Sequence, residues 1–300
     1  MSAAEIAHAL GEARKEGRAW RCCCPLHGGR SLTLRDGDGG RVLATCWAGC
    51  NRLEVLAELR RSGLLNELRA NKNYQGSISA GAHKDSDGQI ARAIAIWREA
   101  RPVAGTPVEK YLASRSITGP LPSNLRFHPA CPHPSGARFP AMVALVEHVT
   151  HGPVAIHRAY LQSDGSDKAF VEPSKAMLGP VGGGAVRLAT VRQDRWLAIA
   201  EGIETALSVA TACALPVWAA LSAGGIRSLV LSSRAMHIVI CADNDASGTG
   251  QRAASDAAAR WLSEGRSVRI ATPTEPDTDM ADVLIAGTQE HAILVPRRVT

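Results

Sequence analysis

The 300-residue chain lacks any run approaching the ~18 uninterrupted apolar residues of a membrane-spanning helix, which excludes that class. It lacks a signal-peptide pattern, because MSAAEIAHALGEARKEGRAW is charged and broken up. The expected compartment is therefore the cytoplasm, with no membrane partner. No repeat of fixed period is present, which excludes solenoids and propellers. No GxxxxGK[ST] sequence occurs, so a P-loop motor is not part of this chain. The low hydrophobicity of disordered chains is missing too: 45% of residues are apolar and 21% charged. Net charge is modest, +6 from 34 Lys and Arg against 28 Asp and Glu.

That charge is unevenly spread. Residues 1–70 carry 11 basic and 8 acidic side chains, residues 89–192 carry 12 and 6, and residues 193–300 carry 9 and 12. A basic front and an acidic back suggest a polyanion held in one place and cations in another. The length allows about two domains and a small module. Residues 66–88, polar and rich in Gly, Ser and Asn, read as a linker. The expected organisation is a small module at 1–65, the linker, a basic α+β region at 89–192, and an α/β domain at 193–300.

Local signals fill in these regions. Ser2 with Glu5 forms a capping-box pattern for a helix over 3–15. Residues 22–50 read as loop, and a second helix runs from Asn51 to Gly63. Helices are expected at 89–100 and 107–115, the latter opened by Thr106-Pro107. A Pro-rich stretch covers 120–140, and 141–149 with 154–161 reads as a β-hairpin. From 193 on, strands at 196–200, 216–221, 237–242 and 268–271 alternate with helices at 203–212, just after 225, at 248–264 and at 280–285. That alternation predicts a parallel sheet covered on both faces, with its site beyond the strand carboxyl ends.

Eight cysteines in a reducing compartment point to metal or chance rather than disulfides. Cys24 and His27 stand two residues apart, and Cys46 and Cys50 three apart, with eighteen residues between the pairs. Two close pairs of soft ligands match the four tetrahedral N/S ligands of structural zinc. Cys24 is preferred to Cys22 and Cys23 because it gives the two-residue spacing. Four protein ligands leave no open position for catalysis by that metal.

In the last third, Glu201 follows the strand WLAIA, and Asp243-Asn244-Asp245 follows HIVICA. Asp243 and Asp245, two apart in extended chain, face the same side. Their oxygens suit Mg²⁺ or Mn²⁺, which takes few protein carboxylates plus substrate phosphates. The later cluster, with Asp279 and Asp282, supplies further candidate ligands.

AEGIETALS, ICADNDASGTGQRAA and TDMADVL resemble the three signatures of a Toprim domain, and CPLH…CWAGC is similar to the CHC2-like zinc-binding module of DnaG-type primases. The combination resembles the plasmid- and phage-associated Toprim primases over nearly the whole chain. The resemblance implies a Rossmann-like parallel Toprim sheet, preceded by a mixed α+β subdomain and a zinc-ribbon module. It implies metal-dependent synthesis of short RNA primers from nucleoside triphosphates on single-stranded DNA. Glu201, Asp243 and Asp245 would be the catalytic residues, with Glu201 either a proton carrier or a metal ligand. Arg158, Lys168 and Lys175 match the basic surface that contacts nucleotide or primer. Unwinding would fall to a separate helicase or replication initiator. A Toprim nuclease and a noncatalytic DNA-binding accessory protein are the alternatives. A strand-passing topoisomerase is excluded by length and by having only Tyr74, Tyr111 and Tyr160 as candidate nucleophiles.

Overall fold

A computed structural model describes residues 1–17, 19–37, 41–46, 50, 52–65, 78–244, 248–276, 278 and 297–298, with backbone alone at 41, 53, 78–85 and 297–298. The chain divides into two compact units, Met1–His83 and Lys84–Thr300. None of the described helices is long and apolar enough to cross a membrane.

The first unit opens with α1 (Ala3–Leu10), capped as expected: Glu5 N donates to Ser2 Oγ at 3.3 Å and Ser2 N to Glu5 Oε2 at 2.7 Å. The helix stops at Leu10, short of the expected residue 15. Gly11 (φ 88°) and Glu12 (φ 50°) leave helical space there. Four strands follow in an antiparallel sheet of order β1-β2-β3-β4: β1 (Arg14–Glu16), β2 (Ala19–Cys22), β3 (Leu32–Gly37) and β4 (Arg41–Cys46). The last two correct the reading of 22–50 as loop. Leu32 and Leu34, then Val42, Ala44 and Cys46, alternate into the core in the period-2 pattern of half-buried strands. α2 (Arg52–Arg61) closes this core with Val55 and Leu59, and Gly63 (φ 71°) ends the turn after it.

α3 (Ile78–Glu99) starts well before residue 89 and so reaches into the span read as linker. Its far half is fixed by buried Ala93 and Trp97. No proline interrupts it, and Gly81 and Gly88 cost about 1 kcal/mol each, too little to stop propagation from a packed end.

In the second unit, an antiparallel sheet of order β5-β6-β7-β8-β9 is built from β5 (Arg101–Pro102), β6 (Leu125–Pro132), β7 (Arg138–His148), β8 (Gly152–Tyr160) and β9 (Lys175–Leu178). β7 and β8 form the expected hairpin, pairing Ala141 with Tyr160 and His148 with Gly152. β6 lies inside the Pro-rich stretch. Pro129 falls at the irregularity between His128 and Cys131, where no ladder N–H is needed. α4 (Pro107–Ala113) begins after Thr106, whose hydroxyl donates to Val103 O at 2.5 Å instead of capping the helix.

The second sheet has the order β10-β12-β11-β13-β14-β15, from β10 (Val186–Arg187), β11 (Trp196–Ala200), β12 (Val217–Ala219), β13 (His237–Cys241), β14 (Ser267–Ala271) and β15 (Arg297–Arg298). The four central strands are parallel and the two edges antiparallel. The helices α5 (Ile203–Cys213), α6 (Ala223–Ser228) and α7 (Thr249–Ser263) connect them. Alternation along β11 shows how both faces are covered. Ala198 and Ala200 join the core shared with the first sheet, α4 and α5, while Leu197 and Ile199 join the core under α6 and α7. Ala254, Ala257 and Ala258 let α7 lie close, and Trp261 fills the space beyond them, fully buried. The helix expected at 280–285 lies outside the described residues.

Candidate functional sites

Cys24, His27, Cys46 and Cys50 converge, with one ligand atom from each lying within 4.8 Å of all the others. The polypeptide turns between Cys24 and Gly29, closed by Gly28 N to Cys24 O and Cys24 N to Gly29 O, both 2.8 Å. Cys46 ends β4, and residues 47–49 lie outside the described residues. Cys24 Sγ and Cys50 Sγ are 3.9 Å apart, and His27 Nε2 and Cys46 Sγ 3.2 Å. A tetrahedral Zn–S bond of about 2.3 Å gives S···S edges of about 3.8 Å, so this Cys₃His set fits a zinc-sized ion. The neighbouring thiols are placed elsewhere: Cys22 is buried in β2 toward Leu32 O, and Cys23 faces Glu12. Hydrogen bonds with Cys24 and Cys46 push the His27 imidazole up to about 10, and bonds from Cys24 and Cys50 hold the Cys46 thiol far below its usual range. Hydrogen bonds with Cys24 and Cys46 push the Cys50 thiol far above its usual range, so the four groups share protons that a bound metal ion would displace.

The parallel sheet carries the second site. β11 and β13 are adjacent and in register, Ala200 opposite Cys241. Glu201 follows the first strand directly and Asp243 the second by two residues, so the two half-buried carboxylates stand at neighbouring carboxyl ends. Hard oxygen donors at that edge fit a small divalent cation. Asp245, Asp279 and Asp282 lie outside the described residues, and of the later acidic cluster Glu275 is described and exposed. Among the described residues the single group of three or more metal-capable side chains is the Cys₃His cluster.

Two features of this edge escaped the sequence reading. Asn244 ties the loop after β13 to the loop after β14. Its Nδ2 donates to Pro273 O at 3.1 Å and Glu275 O at 2.9 Å, its backbone N donates to Thr278 O at 2.9 Å, and its Oδ1 accepts from Gln251 Nε2 at 3.2 Å. The Gly-rich turn after β12 abuts the same edge, with Leu221 N donating to Glu201 O at 2.8 Å. A Cβ on Gly225 would sit 1.9 Å from Ala220 O, so the turn admits only glycine there.

The basic candidates separate. Arg158 is 6% exposed, and its guanidinium donates to Pro132 O at 2.8 Å and Met177 O at 3.1 Å. The expected exposed contact is instead committed to tying β6 and β9 across β8. Lys168 and Lys175 stay half-buried at the edge of the antiparallel sheet. Lys175 Nζ lies 3.2 Å from Oε1 of Glu204, in the first turn of α5, three residues after Glu201. Tyr111 Oη donates to the same carboxylate at 2.7 Å. Burial alone would raise the Glu204 carboxyl, but Lys175 and the Tyr111 hydroxyl outweigh it and hold it at about 2. Burial, reinforced by the charge of Lys175, depresses Lys168 and brings the enclosed His157 imidazole down to about 3. The sequence signal for Glu204 was present in AEGIET, but nothing in spacing alone paired it with Lys175 29 residues earlier. Gly182-Gly183-Gly184 forms a turn. Gly184 N donates to Val181 O at 3.0 Å, and a Cβ on Gly183 would meet the His148 ring at 2.8 Å.

Comparison with known proteins adds the following. Residues 87–188 match a domain of unknown function, DUF7146. No curated protein matches the chain in sequence. Solved structures with a similar course include the Aquifex aeolicus primase, in its zinc-binding and RNA polymerase domains, at 16% identity. That match covers 96% of this chain and 80% of that one, with a TM-score of 0.43. The RNA polymerase domain of Mycobacterium tuberculosis primase DnaG is another, at 14% identity, 71% and 82% coverage and a TM-score of 0.42. A DNA primase domain from Pseudomonas aeruginosa gives 16% identity, 66% and 74% coverage and a TM-score of 0.41. Residues 196–290, the stretch that holds Glu201 and Asp243 at adjacent strand ends, match the Toprim domain.

Proposed function

We propose that this chain is a DNA primase of the plasmid- or phage-associated type, making short RNA primers on single-stranded DNA. The observation that carries the reading is the Toprim match over the very strand ends that present Glu201 and Asp243. A Cys₃His cluster in the same chain supports it, as the place for a structural zinc that helps hold the template strand. Glu201, Asp243 and Asp245 would hold Mg²⁺ or Mn²⁺, with Asp279 and Asp282 as further ligands. When bound there, a divalent cation offsets the negative charge that builds on the phosphoryl oxygens and the departing pyrophosphate. The chain's own residues position the reactants. Lys168 and Lys175 bring positive charge to the first turn of α5 beside Glu201 and would meet triphosphate or primer backbone. Glu204 aims Lys175 through their ion pair, and the Tyr111 hydroxyl fixes the same carboxylate. Unwinding of the template is the work of a separate helicase or initiator.

The test is to incubate the protein with single-stranded DNA, four nucleoside triphosphates and Mg²⁺ or Mn²⁺. Labelled RNA is expected, falling about a hundredfold or more in Asp243→Ala, because removing one well-placed electrostatic group costs ~10²–10³ in rate. Shortened DNA would make the chain a Toprim nuclease, and retention without product a binding protein. RNA synthesis unchanged by Asp243→Ala would end the proposal.

A further inference from the structure

Phenylalanine is scarce here, three residues in 300, yet Phe170 is 96% exposed. Burying such a side chain stabilises a fold, so leaving it in water forgoes that gain. Its exposure is not that of a loose loop. The segment 168–174 is fastened along its length. Lys168 bridges to Leu161, and Ala169 N donates to Tyr160 O at 2.8 Å. Tyr160 N donates to Ser174 O at 2.9 Å, and the His133 ring meets Pro173 O at 3.1 Å. On either side of Phe170, Ala169 and Val171 pack against the core that holds Tyr160 and Ile156. The backbone thus turns both neighbours inward and holds Phe170 outward.

The loop's two ends carry Lys168 and Lys175, anchored opposite Leu161 and Ala159 at the end of β8. Lys175 reaches Glu204 in the turn that follows Glu201. An exposed aromatic ring carried on a fastened backbone, with a lysine at each end of its loop, has the chemistry of a stacking platform for an unpaired base. We infer that Phe170 stacks on a base of the single-stranded DNA template. The identity of that partner rests on the priming reading, whereas the ring's presentation does not. Holding the backbone in place beforehand removes the ordering cost that a mobile loop would add on binding.

The test titrates the full chain into fluorescent oligo(dT) and into the same backbone lacking its bases. Phe170→Ala should bind oligo(dT) roughly 5- to 100-fold more weakly and the abasic strand as the parent does. Phe170→Tyr should restore binding. The slope of affinity against salt should stay unchanged, since no phosphate contact is lost, whereas Lys168→Ala should flatten it. Thermal melting of Phe170→Ala should match the parent, as the side chain touches solvent. Equal affinity of parent and Phe170→Ala for oligo(dT), equal losses on both strands, or no binding by the parent would overturn the inference. Binding is read without nucleoside triphosphates, so failure to make RNA leaves a positive result standing. Conversely, RNA synthesis with Phe170-independent binding removes only this inference.

Discussion

The Cys₃His module and the parallel-sheet domain use their polar groups in opposite ways. In the first unit, a core of about a dozen small and medium side chains surrounds Cys24 and Cys46, so two of the four ligands are themselves core residues. In the second, β11, β13 and α7 bury Leu197, Ile199, Ile238, Ile240 and Trp261, and Glu201 and Asp243 begin where that packing ends. One set of chemical groups supports its fold, and the other is carried by a fold that would stand without it. A small domain cannot bury enough surface for the second arrangement.

The comparison breaks first at the metal. Chelation, or Cys46→Ser, should unfold the first unit outright, since structural zinc contributes about 10–16 kcal/mol to peptide-sized modules. Limited proteolysis should then cut within residues 1–65 while 84–276 resists. Metal analysis should find about one zinc per chain in the parent. A first unit that stays protected without metal would erase the distinction.

Trp261→Ala should do the reverse. It costs the second unit about 3–5 kcal/mol by opening a cavity under α7, read from chemical denaturation, and leaves zinc content intact.

Glu204 sharpens the boundary between carried and supporting groups. Its folded-state value is depressed to about 2 from 4.5, so its contribution is full above pH 4.5 and is lost as pH falls toward 2. His157 is depressed to about 3 from 6.5, so its contribution is present above pH 6.5 and drains away as pH falls toward 3. The melting temperature of the second unit should therefore decline on acidification from pH 6.5 downward. Glu204→Gln should remove the lower part of that decline and destabilise by about 1–3 kcal/mol at pH 7, because Lys175 and the Tyr111 hydroxyl lose a buried charged partner.

The smallest change in stability is expected at Asp243. Asp243→Asn should shift stability by no more than about 1 kcal/mol and, on the proposed priming reading, abolish RNA synthesis, as would suit a group placed for chemistry rather than support. A large loss of stability would move Asp243 into the supporting class.

The sequence made the parallel sheet readable because a strand buried on both faces is a short continuous apolar run, as in WLAIA and HIVIC, and each is followed by a visible helix. The four ligands were readable because zinc demands residue types that spacing alone exposes. β3 and β4 were not: their alternation is brief and the cysteines nearby drew the segment toward loop. β6 was hidden by prolines that sit at its irregularity and its end. Arg158 misled because a cation on a strand looks the same in sequence whether it meets phosphate or two backbone carbonyls. The Lys175–Glu204–Tyr111 cluster joins three distant segments, and no local pattern encodes such a meeting.

Asn244 limits how acidic the edge beyond β11 and β13 can become. Its amide nitrogen feeds the carbonyls of Pro273 and Glu275 at once. An aspartate in its place would offer oxygen to oxygen, leaving Glu275 O with the Thr278 hydroxyl and taking from Pro273 O its Asn244 donor at about 1–3 kcal/mol, and would let the two loops drift apart. A third consecutive acid would thus add negative charge for cations while loosening the frame that sets where they sit. The neutral residue after Asp243 is what ties the loop that carries this carboxylate to the loop after β14.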